Sequence, residues 1–94
     1  MNKLSSLLIK YHKQNKKFYI FGSTIAASYF SYYISLNFCG FIDENAERIG
    51  SKLMNKPIFH PNILDNNSVC FVFNSDKSIK LRLLKTYGNY FIYI

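Results

Sequence analysis

Two histidines and two cysteines are the residues of this chain best suited to metal or redox chemistry. His12 and His60 lie far apart in the sequence, and Cys39 and Cys70 form no Cys-x-x-Cys pair. This spacing matches no metal site. We expect two unpaired thiols, with a disulfide as the alternative in an oxidising compartment, and we predict no metal site.

Carboxylates, the other common catalytic groups, number only five. Three of them (Asp43, Glu44 and Glu47) cluster where the capping of a helix explains them. The sequence has no glycine-rich phosphate loop and no nucleophile motif. We therefore predict that the chain is not an enzyme and that it has no catalytic residue, no cofactor and no small-molecule substrate.

A long charge-free segment dominates the organisation of the chain. No charged residue occurs between Lys17 and Asp43. A helix over residues 18–42 would be about 37 Å long, enough to cross a hydrocarbon core of about 30 Å. The alternative, a core helix of a soluble domain, would show a charged outer face, and none is present. The pattern predicts a mainly α membrane protein with one transmembrane helix.

Small side chains recur along the predicted span. Rows of small residues let another helix approach closely. They predict a helix-packing surface for other subunits of a multi-subunit membrane complex. The residues of this surface are Gly22, Ser23, Ala26, Ala27, Ser31 and Ser35.

The start of the chain is basic and resembles a mitochondrial targeting segment. Leu4, Leu7, Leu8 and Tyr11 lie on one side of a helix, so residues 1–17 predict an amphipathic helix on a membrane surface or a partner. The positive-inside rule places this end in the matrix. Four lysines are predicted to bind anionic lipid head groups such as those of cardiolipin. These are Lys10, Lys13, Lys16 and Lys17.

The region after the span predicts a short polar helix over residues 43–56 and a tail over residues 57–94. Ile79, Leu81 and Leu83 alternate with basic residues, as in a half-buried strand. We expect a three-stranded β-meander in this tail. Its strands would cover residues 68–73, 79–84 and 89–94.

The order of these features resembles a family of single-span accessory subunits, subunit 9 of the cytochrome bc1 complex (complex III). The stretches SLLIKYHKQNKKF and FGSTIAA are similar to its basic start and early span, and GSKLM to its Gly-Lys-Leu-Trp end. Ser51 interrupts that last motif, Met54 replaces the Trp, and residues 57–94 have no counterpart. The resemblance implies a subunit without redox centres. Accessory subunits of complex I, complex IV and ATP synthase share the same plan.

Together these features predict a non-catalytic accessory subunit of the respiratory chain in the mitochondrial inner membrane. It would support assembly, stability or supercomplex contacts in electron transport, with its C terminus in the intermembrane space. The net charge of +7 leaves an alternative, a basic mitochondrial ribosomal or other peripheral binding protein. The lysines cluster before an uncharged run, which favours membrane anchoring over nucleic-acid binding.

Overall fold

The computed structural model describes residues 3–22, 38–73 and 76–93. These residues contain two helices, six strands and one short 3₁₀ turn. The helices are α1 (Lys3–Lys13) and α2 (Lys77–Tyr87). The strands are β1 (Lys17–Phe21), β2 (Phe38–Ile42), β3 (Lys52–Leu53), β4 (Lys56–Phe59), β5 (Ser68–Val72) and β6 (Phe91–Tyr93), and the 3₁₀ turn is Pro61–Ile63.

Five of the strands run parallel in one sheet, whose order is β3-β4-β2-β1-β5-β6. β1 pairs in parallel with both β2 and β5, while β4 extends one side and β6 the other. β3 is antiparallel and joins β4 through a hairpin. Parallel neighbours need a crossover between them, and α2 is the crossover from β5 to β6. The architecture is a small α/β domain with a mixed sheet.

β1 lies at the centre of the sheet and is covered on both faces. Phe18, Tyr19 and Ile20 are all buried, although consecutive residues of a strand point to opposite faces. Such a strand is apolar at every position, because neither face meets water. The run FYIF, which follows the exposed Lys17 at the start of β1, has this composition.

The two faces of the sheet form separate clusters. The first contains Phe18, Ile20, Phe38, Phe41, Ile58, Val69 and Phe71. The second contains Tyr19, Ile42, Leu64, Cys70, Val72, Leu83 and Phe91. Helix α1 packs Leu7, Leu8 and Tyr11 on the first face. Helix α2 packs Ile79, Leu83 and Tyr87 on the second.

The predicted transmembrane helix over residues 18–42 is wrong. Its first residues form β1 and its last form β2, and Phe21 lies beside Ile42 in the sheet. A strand buried on both faces gives the same charge-free run as a span, so the pattern alone did not distinguish them. Within the described stretches, no helix is both long and apolar enough to cross a membrane. The mainly α membrane fold is replaced by the α/β domain.

The predicted helix over residues 43–56 is also wrong. Residues 46–50 form turns, and the β3–β4 hairpin follows. Met54 and Asn55 both have positive φ, at 50° and 62°, as a two-residue type I′ hairpin turn requires. The Asp43 carboxylate, expected to cap a helix, instead accepts a hydrogen bond from the Asn45 N–H at 2.7 Å.

The predicted β-meander is wrong in its middle strand and in its direction. Residues 79–84 lie within α2, which begins after the N-cap Asp76 and ends before the C-cap Gly88. Strands β5 and β6 lie within the other two predicted segments, but they pair in parallel, since the helix returns the chain between them. The alternation of Ile79, Leu81 and Leu83 therefore does not mark a strand.

Gly40 allows β2 and β4 to approach each other closely. A Cβ atom at this position would lie 2.4 Å from the Pro57 carbonyl oxygen and 3.0 Å from the Phe59 ring. The register between β1 and β2 also shifts here, because Phe18 pairs with Phe38 and Tyr19 with Gly40. A glycine inside a strand commonly marks such an approach.

We expect Gly40→Ala to destabilise the fold by about 1–3 kcal/mol, the usual cost of overpacking a well-packed interior. The clash is with a main-chain oxygen of the neighbouring strand, which a side-chain rotation does not relieve. Urea unfolding followed by circular dichroism measures the change. Ser51→Ala, at an exposed position in the turn before β3, is the control and should unfold like the parent chain. Equal stability of the two variants would contradict the close approach.

Substitutions at Leu83 and Leu81 distinguish the helix from the strand expected here. In α2, Leu83 is 0% exposed and Leu81 is 66% exposed. Leu83→Ala should lower the free energy of unfolding by about 2–5 kcal/mol, whereas Leu81→Ala should change it by no more than about 0.5 kcal/mol. A strand would place both leucines on one face, so similar losses for the two variants would contradict the helix. Thermal and urea unfolding of both variants provide the comparison.

Candidate functional site

The carboxyl ends of the parallel strands meet at one edge of the sheet. In α/β sheets this edge is where ligands bind, especially where neighbouring strands continue in opposite directions along the sheet. Here that point lies at β1, because the chain proceeds from β1 to β2 on one side and from β5 to β6 on the other. The residues that follow β1, β2 and β4 are Gly22, Asp43 and His60.

Gly22 turns the chain immediately after β1. Its φ of 97° lies in a region that residues with a Cβ rarely adopt. Its N–H donates to the Ile42 carbonyl oxygen at 2.6 Å, which ties the turn to the end of β2. Gly22, with its positive φ, therefore lies directly beside the end of the neighbouring strand.

Asp43 directly follows the last residue of β2 and lies beside Gly22. Phe21 pairs with Ile42, so the residues after them, Gly22 and Asp43, lie next to each other at the edge. The Asp43 N–H donates to the Phe59 carbonyl oxygen at 2.9 Å, which continues the connection to β4. One glycine turn and one half-buried carboxylate thus lie side by side at the centre of the carboxyl edge.

Glu44 links this edge to helix α2. Its Oε2 accepts hydrogen bonds from the Arg82 guanidinium and from the Tyr87 hydroxyl, each at 2.7 Å. The His60 ring packs edge-on against the Tyr87 ring, with centroids 6.0 Å apart. His60 Nδ1 also accepts from the Asn62 N–H at 3.1 Å. Four side chains from three segments therefore hold α2 against the ends of β2 and β4.

These contacts change the acidity of the groups involved. The hydrogen bond from Arg82 lowers the pKa of Glu44 below its ordinary value, and the Tyr87 hydroxyl adds to the effect. The hydrogen bond to Glu44 raises the pKa of Arg82. Burial, followed by the bond to Glu44, raises the pKa of Tyr87. The network is therefore built around an ionised glutamate.

The predicted helix-packing residues fall mostly outside this description. Ser23, Ala26, Ala27, Ser31 and Ser35 lie in residues 23–37, outside the described residues. Gly22 of that set lies at the carboxyl edge. These residues were predicted to form a packing surface because they would lie on a transmembrane helix. That helix is wrong, so the packing surface is not proposed.

The lysines predicted to bind lipid head groups lie near α1 and the start of β1. Lys10 and Lys13 are exposed on α1, and Lys17 is exposed at the start of β1. The Lys16 ammonium donates to the Asn66 carbonyl oxygen, so it contacts the loop before β5. Lipid binding by these lysines stays a prediction.

The histidines and cysteines lie apart. Among the residues with described positions, no group of three or more His, Cys, Asp or Glu side chains is placed to hold a metal ion. Both thiols are free, with Cys39 half-buried and Cys70 fully buried. Burial raises the pKa of the Cys70 thiol well above its ordinary value, so this thiol is protonated.

Sequence reasoning missed the pairing of Gly22 with Asp43. A signal was present, since the apolar run FYIF ends in glycine and the apolar run FCGFI ends in aspartate about 20 residues later, a recognised spacing in phosphate-binding α/β folds. The uninterrupted absence of charge concealed that these are two strands with a connection between them.

The Glu44 contacts predict a pH-dependent contribution to stability. The folded-state pKa of Glu44 is lowered, so the contribution is complete above its ordinary pKa of 4.5 and is lost as pH falls through the lower folded value. Because the pair is partly exposed, we expect Glu44→Gln to cost about 1 kcal/mol or less at neutral pH. The difference from the parent chain should vanish in acid.

Urea unfolding of the parent chain and of Glu44→Gln, at neutral pH and at pH values below the folded-state pKa of Glu44, measures the effect. Glu47→Gln removes an exposed carboxylate from the same turn region and is the control for net charge. A difference between Glu44→Gln and the parent that persists unchanged into acid would contradict the role of the ionised glutamate.

Comparison with protein-family models, with curated proteins and with solved structures finds no match to this chain. The geometry of the carboxyl edge is therefore the basis for a functional assignment.

Proposed function

We propose that this chain is a nucleotide-binding α/β domain. The ligand would be a nucleoside diphosphate, either free or as half of a dinucleotide such as NAD⁺. It would lie at the carboxyl ends of β1 and β2. The observation that carries the proposal is the placement of Gly22 and Asp43 side by side after two central parallel strands.

The strand order supports this assignment. Across the sheet, the parallel strands lie in the order β4, β2, β1, β5 and β6. When these five strands are numbered 1 to 5 along the chain, their spatial order is therefore 3-2-1-4-5. Dinucleotide-binding α/β folds use the same order through their fifth strand, and they bind the ligand outside the carboxyl ends at the central strand. Helices α1 and α2 cover opposite faces of the sheet, as such an arrangement requires.

The residues after β1 support a site for phosphate. The sequence from Gly22 is GSTIAA, which matches the pattern G-x-G-x-x-G/A at its first and last positions and has Thr24 at the middle one. The first glycine of that pattern makes the tight turn, and the φ of Gly22 fits this role. Ser23, Ala26 and Ala27 have small side chains, which is typical of a segment that binds phosphate. A net charge of +7 also favours an anionic ligand.

Asp43 supports recognition of a ribose. In dinucleotide-binding folds, an acidic residue about 20 positions after the first glycine accepts hydrogen bonds from the ribose hydroxyls. Asp43 occupies that position at the end of β2, beside the Gly22 turn. A carboxylate here would repel a 2′-phosphate, so the proposed ligand has a free 2′-hydroxyl.

The earlier assignment to a respiratory complex depended on the transmembrane helix. That helix is wrong, and the apolar side chains of α1 that were expected to face a membrane or a partner pack on the sheet. The accessory-subunit and ribosomal hypotheses stay untested predictions. The carboxyl-edge geometry favours nucleotide binding over both.

Calorimetric titration with NAD⁺, ADP and NADP⁺ tests the proposal. We expect NAD⁺ and ADP to bind more tightly than about 1 mM, and NADP⁺ to bind about tenfold more weakly than NAD⁺. Asp43→Asn should reduce the preference for NAD⁺ over NADP⁺, because it removes the charge. The asparagine amide oxygen can still accept the Asn45 N–H bond, so the local turn is kept.

Glu47→Gln is the matched control, since it removes a nearby exposed carboxylate and should leave both affinities unchanged. Absence of binding by NAD⁺ and ADP at millimolar concentration would overturn the function. Binding with the same NAD⁺ to NADP⁺ ratio in the parent and in Asp43→Asn would overturn the role of Asp43.

A further inference from the structure

A groove between α2 and β6 lies at the opposite end of the sheet from β3 and β4. Its volume is about 280 Å³. We call it the α2–β6 groove, and it is bordered by Lys80, Leu84, Gly88, Asn89, Ile92 and Tyr93. It does not include the residues of the proposed nucleotide site.

The helix beside this groove exposes apolar side chains. Leu81 is 66% exposed and Leu84 is 48% exposed, while Leu83 between them is buried in the core. Leu81 and Leu84 are three residues apart and so lie next to each other on the helix surface. Adjacent exposed leucines beside a groove are a typical contact surface for another chain.

β6 offers main-chain groups at the same place. It is the last strand of the sheet among the described residues. The Tyr90 carbonyl oxygen accepts from the Cys70 N–H at 2.8 Å, so Tyr90 faces β5. Alternate residues of a parallel strand face the same neighbour, which directs the main-chain groups of Phe91 outward. An extended peptide could pair with this side of β6.

The surface around the groove is basic. The sequence from Lys77 to Tyr93 contains four basic residues and no acidic one. Arg82 is paired with Glu44, whereas Lys80 holds its ammonium 5.2 Å from the Tyr93 ring centroid at the groove. Lys77 and Lys85 are exposed on the same helix. A second copy of this chain would bring the same positive charges to the contact, so charge favours an acidic partner.

We propose that the α2–β6 groove binds an extended, acidic peptide segment of a partner protein. The segment adds to the sheet as a strand along the outer side of β6. An apolar side chain of the segment packs against Leu84, and an acidic side chain two positions away contacts Lys80. The concave groove and the outward main-chain groups of Phe91 favour a peptide over a flat lipid surface.

Fluorescence anisotropy with synthetic peptides tests this proposal on the full chain. The probe is a labelled peptide with the repeat Val-Thr-Glu-Thr, which places valine and glutamate two positions apart on one face of the strand, and the comparison peptide has lysine in place of glutamate. We expect the acidic peptide to bind and the basic one not to bind. A version of the acidic peptide that is N-methylated on alternate residues, along the side facing β6, should lose binding, because it lacks the N–H groups for strand pairing.

Two variants locate the contact. Lys80→Glu should weaken binding of the acidic peptide by about fivefold or more. Lys52→Glu makes the same charge change at an exposed position on β3, at the other end of the sheet, and should leave binding within about twofold. Equal effects of the two variants, or equal binding of both peptides, would overturn the proposal.

The other occupants of the groove give different results. Light scattering that shows a dimer dissociated by Lys80→Glu would mean that a second copy fills the groove. Cosedimentation with phosphatidylcholine–phosphatidylserine vesicles that is lost in Lys80→Glu, with no peptide binding, would mean that a lipid surface does. Either result overturns the peptide assignment. Failure of NAD⁺ and ADP to bind would overturn the nucleotide site alone, because the two sites share no residue.

Discussion

The structure depends on the parallel pairing of β1 with two neighbours at once. β1 contacts β2 on one side and β5 on the other, and its residues Phe18, Tyr19 and Ile20 are buried from both faces. Burial of apolar surface is the main favourable term in folding, and here most of it is organised around one strand. The partner β5 lies about 50 residues further along the chain, so the centre of the sheet forms only through long-range contacts, which slow folding.

Parallel pairing also determines where a ligand could bind. Because all five parallel strands point the same way, their carboxyl ends meet at one edge, and the side chains after them gather there. The same hydrogen bonds that continue the sheet past its ends, from Gly22 to Ile42 and from Asp43 to Phe59, hold the proposed nucleotide site in position. The strand pairing itself thus positions the residues that the proposed nucleotide would contact. The two outer sides of the sheet differ, since β3 pairs with the outer side of β4 while β6 borders the basic α2–β6 groove.

Sequence patterns predicted part of this fold. The apolar segments 68–73 and 89–94 contain β5 and β6, and a helix lies in the basic N-terminal region. The charge-free run failed as a guide, because a strand buried on both faces and a membrane span have the same composition, and only the long-range pairing of Phe21 with Ile42 separates them. The run IKLRLL failed for a different reason: its alternation suits a strand, but the Asp76 cap and the glycine after Tyr87 favour a helix. The side-by-side placement of Gly22 and Asp43 follows from strand order; their spacing was a signal, but the charge-free run concealed that it connects two strands.

The burial of Cys70 gives the molecule a built-in reporter of its own opening. This thiol lies in the middle of β5, fully covered by the second cluster of the core, and burial keeps it protonated. Alkylating reagents attack thiolates that they can reach, so Cys70 reacts only while the second cluster is opened and the thiol is uncovered. Cys39, on β2, is half-exposed and reacts without such an event. The ratio of the two labelling rates would therefore report how often the core on this face of the sheet opens, with no probe added to the chain and no denaturant in the solution.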